Sequence, residues 1–431
     1  MDEHPRATLA VLVAAPVAIL CLWLWSLNLP AMSKIPGPWY LKFTTLFVKY
    51  HQFRGSTTLW AYGLHLKYGP VVQIGSNEIS FASFTATKQI YNTGNRDFGK
   101  TEIYHLFKQE GHINLFTAFD AGKHAEIRKQ LADRYSNSTV LKSEILHKIT
   151  ERAETFTAKC VAAGSADVYS WFLPQSIGLE KGGAMIRDYV KQTLDAGGHA
   201  DFTLAAKLLN LPTFDRSLAV SECLDHIAAG IETTGDTLCW LMWELSQPKH
   251  QDKVDKLRTE LLSRQPDQGL DALPYLVAVV QEALRLWAPG TVQLPRYVPD
   301  GGRHMDGYFV PGHTIVGVTS YSMHRLDTSV FPNPHEFLPE RWLDPEGNSE
   351  RMRLFFAFGM GARTCIGKNL AMAEMRACLN AVYSRYRTRP AADMTASMDL
   401  DDVVLSTRPR GMCCKLEFVP WEKDSGVKQT V

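Results

Sequence analysis

The chain has 431 residues, 45% of them hydrophobic, with 20 Phe and 10 Trp, which is enough apolar side chain for one large core or two modest ones. The formal charge of +1 speaks against a nucleic-acid partner. Eight cysteines contain no C-x-x-C pair, which argues against a paired metal framework and suits a reducing compartment.

Residues 7–27 carry no formal charge, and at about 1.5 Å per residue they reach about 30 Å as a helix, enough to cross a bilayer. Trp23 and Trp25 lie toward one end, where interfacial aromatics belong. A cleaved signal peptide is the rival, but Asp2 and Glu3 replace the basic start that one would carry. Lys34, Lys42, Lys49 and Arg54 follow the span and place the rest of the chain on the cytosolic side. Ile35-Pro36-Gly37-Pro38 then breaks any helix. A helix is expected over 59–68, a hairpin over 71–81 with its turn at 75–77, and a short helix over 84–91.

Residues 121–135 read as a helix with His124 and Arg128 four apart on one face. A long helix follows over 141–162 and a modest one over 184–194, which Gly197-Gly198 ends. Residues 218–246 hold a helical pattern without proline and predict a central helix. Inside it lies Ala229-Gly230-Ile231-Glu232-Thr233-Thr234, where the Thr233 hydroxyl can bond back to the carbonyl of residue 229. Taken alone, this is more often a close-packed helix crossing than a site. Pro274 opens a helix on which Glu282 and Arg285, at i and i+3, can pair. Strand-like alternation is expected near Arg296, over 308–318 and over 403–418.

The most informative stretch is 355–374, FFAFGMGARTCIGKNLAMAE. Gly359, Gly361 and Gly367 surround Cys365, and a helical pattern begins after Gly367. One cysteine is thus presented by a Gly-rich loop at a helix entry. The helix N-terminus and Arg363 are both expected to favour its thiolate. A lone cysteine is more often a small core hydrophobe. Phe358, Gly361, Arg363, Cys365 and Gly367 together reverse that, because they read F-x-x-G-x-R-x-C-x-G.

This pattern resembles the haem-binding loop of the cytochrome P450 family, the haem-thiolate monooxygenases. The resemblance extends, in the family's order, to the Gly230-Ile231-Glu232-Thr233 motif, to Glu282-x-x-Arg285 and to Pro339-Glu340-Arg341. It implies haem b as cofactor, Cys365 as axial iron ligand, and a binding loop that includes Phe358 and Gly361. Arg363, Arg128 and Arg296 would meet the haem propionates. His124 stands where the family usually has Trp, and an imidazole N–H can also donate to a carboxylate. Gly230 would let dioxygen approach the central helix, Thr233 would hold and protonate it, and Glu232 would relay protons. Glu282, Arg285 and Arg341 would form a buried ion network behind the loop, a folding element rather than a chemical one.

The implied fold is the mainly α cytochrome P450 fold with a small β-sheet region, preceded by one N-terminal transmembrane helix. Residues 1–34 would be the anchor and 35–431 the haem domain. Only 105 positions separate Arg128 from Thr233, so the region that roofs the substrate pocket is shortened between about 172 and 200. The implied function is insertion of one oxygen atom from O2 into a hydrophobic small molecule. Several segments look like fungal members that tailor secondary metabolites. An NADPH-cytochrome P450 reductase would be the partner, with Lys123, Lys368 and Arg376 as candidates for its docking face. The endoplasmic-reticulum membrane would be the location, with a single pass and a cytosolic catalytic domain. The rivals are a haem-thiolate isomerase or dehydratase, which needs no distal proton delivery, and a non-catalytic haem binder left by the shortened roof.

Overall fold

A central helix of 31 residues, Arg216–Ser246, is the axis of the computed structural model, which describes residues 14–20, 32–92, 97–172 and 179–421. Asp215 caps its start by accepting from the Leu218 N–H at 2.9 Å, as expected for Asp before a helix. Burial divides the helix in two. Residues 219–225 are buried, Ala229 and Gly230 are exposed, and residues 234–242 are buried again. A helix packed at both ends and open in its middle spans a cleft.

The C-terminal half enters the main core through Leu238, Leu241, Met242 and Leu245. Helix Pro274–Trp287 brings Leu276, Val279, Val280 and Ala283 to it, and helix Lys368–Tyr383 brings Met375, Leu379 and Val382. Both follow the i, i+3, i+4 spacing of a helix that buries one stripe. The N-terminal half packs through Ala219, Val220, Cys223 and Leu224 against Val190 and Leu194 of helix Leu179–Ala196, together with Leu208. Ile127 and Leu131 of helix Ala121–Leu131 join that cluster.

The strands are short and lie to the side of the helices. A five-stranded sheet runs in the order Val71–Gly75, Glu78–Phe81, Ile315–Val318, Arg296–Tyr297, Gly99–Lys100. Its first two strands are the expected hairpin, with a two-residue turn. The order places Lys100 and Arg296, 196 positions apart in sequence, as cross-strand partners. Among the described residues three smaller sheets complete the strands, one of them pairing Lys415–Pro420 with Ser165–Asp167 and Tyr386–Pro390.

The sequence expectations for 84–91 and for the Pro274 helix hold as drawn. The helix expected over 184–194 is longer, Leu179–Ala196, and ends where Gly197 and Gly198 take φ of +66° and +65°. Helix Leu46–Phe53 has no counterpart among the sequence expectations. The expected membrane span at 7–27 falls mostly outside the described residues. Residues 14–20 are helical, and among the described residues no helix is long and apolar enough to cross a membrane.

Candidate active site

The loop before helix Lys368–Tyr383 is closed by the Cys365 N–H, which donates to the Phe358 carbonyl at 2.9 Å. Gly361 takes φ +73°, and a Cβ there would lie 1.9 Å from the Tyr91 carbonyl oxygen. Backbone against backbone at that separation admits only glycine. Gly359 also has positive φ, +70°, but faces open space. Gly367 has ordinary helical-side φ, and its Cβ would stand 3.9 Å from the Cys365 sulfur.

Cys365 is exposed, although protein atoms crowd its sulfur. Desolvation pushes its thiol above the ordinary value. Backbone N–H groups of Gly367 and Lys368 and the charges of Arg128 and Lys368 pull the other way. The helix entry therefore acts as expected, but Arg363 does not. Its guanidinium instead donates to the carbonyls of Ala118 at 2.8 Å and Phe119 at 3.0 Å. The charge near the sulfur comes from Arg128 and, after it, Lys368.

Beside this loop lies a cavity of about 340 Å³, whose lining includes His124, Arg128, Arg296 and Arg363. Four residues expected from distant parts of the sequence are thus brought together. His124 is buried near three arginines and a lysine. Burial first, then Arg363, Lys100, Arg128 and Arg296, hold its imidazole down at about 3, so it is neutral at pH 7. Arg296 donates to the Pro295 carbonyl at 2.8 Å and to the Tyr104 hydroxyl. Burial, then the neighbouring Arg296, lowers even the Arg363 guanidinium to about 10.

Lys100 is the residue that sequence reasoning missed. It is buried, donates to the Phe116 carbonyl, and lies over the Tyr104 ring at 4.9 Å. Desolvation, then Arg363 and Arg296, bring its ammonium down to about 6. Its sequence signal is weak, a single lysine ahead of a short helical turn. Only the strand pairing with Arg296 places it at the site.

Among the described residues, none of Lys100, Arg128, Arg296 and Arg363 forms an ion pair with a carboxylate, although other lysines and arginines do, among them Arg303 of the neighbouring hairpin. Packing like charges without a directly paired carboxylate is costly, and Asp225 near Lys100 and Asp120 near Arg363 act only from a distance. Such a cluster fits a ligand that brings at least two negative charges of its own. An exposed cysteine that feels the Arg128 charge and is backed by N–H donors fits a metal bound through sulfur. A haem with two propionates meets both conditions.

Pro339–Trp342, the segment containing Arg341, packs behind the loop. Glu282 accepts from Arg285 Nε and Nη2, both at 2.9 Å, from Arg341 Nε at 3.1 Å, from Trp342 Nε1 at 2.9 Å and from the Leu338 N–H at 2.9 Å. Arg285 also donates to the carbonyls of His324, Pro334 and Glu336. His324, also missed from sequence, joins this network to the loop. Its Nε2 accepts from the Phe356 N–H at 2.8 Å, which leaves Nδ1 to donate to the Arg285 carbonyl at 3.0 Å.

On the central helix the Thr233 hydroxyl donates to the Ala229 carbonyl at 2.6 Å, the back-bond expected from sequence. No side-chain atom lies within 4 Å of a Cβ placed on Gly230. This motif does not line the arginine cavity. Of the cations expected at a docking face, Arg376 is buried, Lys123 pairs with Glu126 at 3.3 Å, and Lys368 lies 5.8 Å from the Phe358 ring.

A cytochrome P450 family model matches residues 186–414, more than half of the chain. The chain belongs to the cytochrome P450 family. It is similar to the cytochrome P450 monooxygenase orf2 of Aspergillus niger, 27% identical over 414 residues, covering 80% of this chain and 84% of that protein. It is similar as well to stcB of Emericella nidulans, 27% identical over 418 residues and 80% of each protein. Cytochrome P450 monooxygenase aflV of Aspergillus parasiticus is 25% identical over 465 residues, with 90% of this chain and 91% of that protein covered. The last alignment is longer than this P450's 431 residues, so the relative carries positions that this chain lacks. Membership implies a haem-thiolate cofactor and an enzyme of the monooxygenase class, whose members typically work with a reductase.

Proposed function

We propose that this P450 binds haem b through Cys365 and inserts one oxygen atom of O2 into a hydrophobic small molecule. The overall reaction is RH + O2 + NADPH + H+ giving ROH + H2O + NADP+, with the electrons passed singly by an NADPH-dependent reductase. The observation that carries the proposal is the cluster of Lys100, Arg128, Arg296 and Arg363, unpaired with any described carboxylate, beside an accessible Cys365.

Haem ligated by a thiolate supplies the activation of dioxygen. The chain's own residues hold and serve it. Arg128, Arg296, Arg363 and Lys100 neutralise its propionates, and neutral His124 donates one N–H to them. The N–H groups of Gly367 and Lys368 hold charge on the Cys365 sulfur. Thr233 now donates its proton to Ala229, so its lone pairs are available to accept. Rotating the hydroxyl away from Ala229 turns it into a donor toward the cleft at Gly230. Glu232, one residue before, resupplies the proton from solvent.

Residues 1–34 act as a membrane anchor in this proposal and 35–431 as the haem domain, on the cytosolic face of the endoplasmic reticulum. Trp39, Leu46, Tyr50 and Phe53 support a lipid-facing surface there, because all four are well exposed directly after the apolar segment. The resemblance to fungal monooxygenases supports a role in secondary metabolism. The longer alignments of the relatives support a substrate pocket with fewer roofing residues, and this reading assigns the shortening to about 172–200.

The test is a reduced carbon monoxide difference spectrum of the membrane-expressed protein beside Cys365→Ala. A thiolate-type Soret band that the variant loses is expected. An equal band in both would overturn the assignment of Cys365. Dependence of product on NADPH and O2 then separates monooxygenation from isomerisation or dehydration.

A further inference from the structure

Another group of metal-ligating side chains lies one to two turns before Gly230. Glu222, Asp225 and His226 sit at i, i+3 and i+4 of the central helix and therefore share a face. One ligand atom from each lies within 4.8 Å of the others. Glu222 is 1% exposed, and neither of its carboxylate oxygens has a hydrogen-bond partner. Buried carboxylates are normally satisfied several times over. Among the described residues no lysine or arginine ion-pairs with Glu222 or Asp225. The Lys100 charge acts on Asp225 only from beyond ion-pair range, and the charged contact of Glu222 is His226, whose Nε2 stands 3.5 Å from Glu222 Oε2.

The other imidazole nitrogen is already engaged. His226 Nδ1 lies 2.5 Å from the Tyr135 hydroxyl oxygen. A proton on Nδ1, donated to Tyr135, leaves the Nε2 lone pair on the carboxylate side. Metal-ligating histidines are oriented in this way by a partner on their second nitrogen. Tyr135 is fixed in turn, since Asn369 donates to its carbonyl at 2.9 Å. Asn369 lies four residues after Cys365, in the helix that the cysteine loop opens.

We propose that Glu222, Asp225 and His226 bind one divalent cation, zinc by their nitrogen and carboxylate donor set, independently of the haem. Three protein donors leave one tetrahedral position for water. The ion would offset the buried negative charge and brace the first half of the central helix against the Tyr135 segment. Cys223, buried next to Glu222, is the competing ligand that chemistry would suggest.

The haem-loaded full chain is dialysed against Zn2+, desalted, and assayed for zinc and iron by mass spectrometry, with zinc-edge X-ray absorption on the same sample. About one zinc per chain is expected, with nitrogen and oxygen scatterers and no sulfur. Tyr135→Phe should weaken zinc about 10- to 100-fold, as losing an orienting partner does, while iron content stays unchanged. Glu222→Gln should abolish retention. A folded, haem-loaded wild type that retains no zinc overturns the proposal. So does a zinc–sulfur shell, or full retention in Glu222→Gln. The wild-type measurements decide even where the variants fail to fold. Loss of the Cys365-dependent Soret band with zinc retained would refute the haem reading alone.

Discussion

Glu282→Gln tests the network behind the cysteine loop. Glu282, Arg285 and Arg341 expose 0%, 0% and 6% of their side chains, so water does not screen them. The two oxygens of Glu282 accept five hydrogen bonds, three from arginines. A glutamine keeps the shape but turns one oxygen into an NH2 that faces donors, and it leaves two guanidinium charges without their carboxylate. Breaking a buried pair on one side costs roughly 3–5 kcal/mol. With unfolding entropy scaling with chain length, that is a fall of about 4–6 °C in the unfolding midpoint of a chain this size. The effect should reach the haem, because Arg285 holds His324 and His324 holds Phe356 of the loop. The assay is thermal unfolding of the haem-loaded protein, together with the rate of haem loss to a scavenger. Arg285→Met should do at least as much damage, since it also orphans three carbonyls. An unchanged midpoint and haem-loss rate in Glu282→Gln would refute the network's structural role.

Gly361→Ala should cost more than 4 kcal/mol and abolish haem incorporation, since its Cβ would meet the Tyr91 carbonyl. Gly359→Ala, with open space, should cost only the roughly 1–2 kcal/mol of left-handed strain, as urea unfolding of the pair would resolve. For Lys100, whose pKa of about 6 in the free cluster rises once propionates face it, haem binding should take up a proton between pH 6 and 8. Affinity should fall as pH rises through that window, and Lys100→Met should remove the dependence in a haem titration. His324 is held at about 3, below its free value of 6.5, so its contribution to stability is complete above pH 6.5 and declines as pH falls. By pH 5 the wild type should have lost about 2 kcal/mol more than His324→Gln, measured by urea unfolding at each pH.

The chemistry-bearing motifs were legible because each is local. The turn at Gly361, the Thr233 back-bond and the Glu282–Arg285 pair are set by residues within a few positions of one another. Helices with strong caps or proline starts were legible for the same reason. Lys100 and His324 were not, because their roles come from pairing over long sequence separations. Lys100 meets Arg296 only through the sheet order, and His324 meets Arg285 and Phe356 only through the packed loop. The source of positive charge near Cys365 was misread for a related reason. Sequence proximity favoured Arg363, but the loop's turn aims that guanidinium at Ala118 and Phe119, and a separate helix supplies Arg128.

The segment proposed to be shortened, about 172–200, and the cation cluster bear on different halves of the site. Lys100, Arg128, Arg296 and Arg363 come from strands, a helix and the cysteine loop that all lie outside 172–200. A shortening within that interval would therefore leave the propionate side intact in composition. What remains over the central helix is helix Leu179–Ala196, which places Val190 and Leu194 on Val220 and Leu224 and reaches Glu110 through Arg187 at 2.8 Å and Lys191 at 3.1 Å. Those ion pairs are partly exposed, and each contributes little on its own. The cover is thus held chiefly by one apolar stripe. A shortened chain of this kind should keep haem more securely than it keeps substrate. Its haem affinity should then match that of the longer relatives more closely than its substrate affinity does.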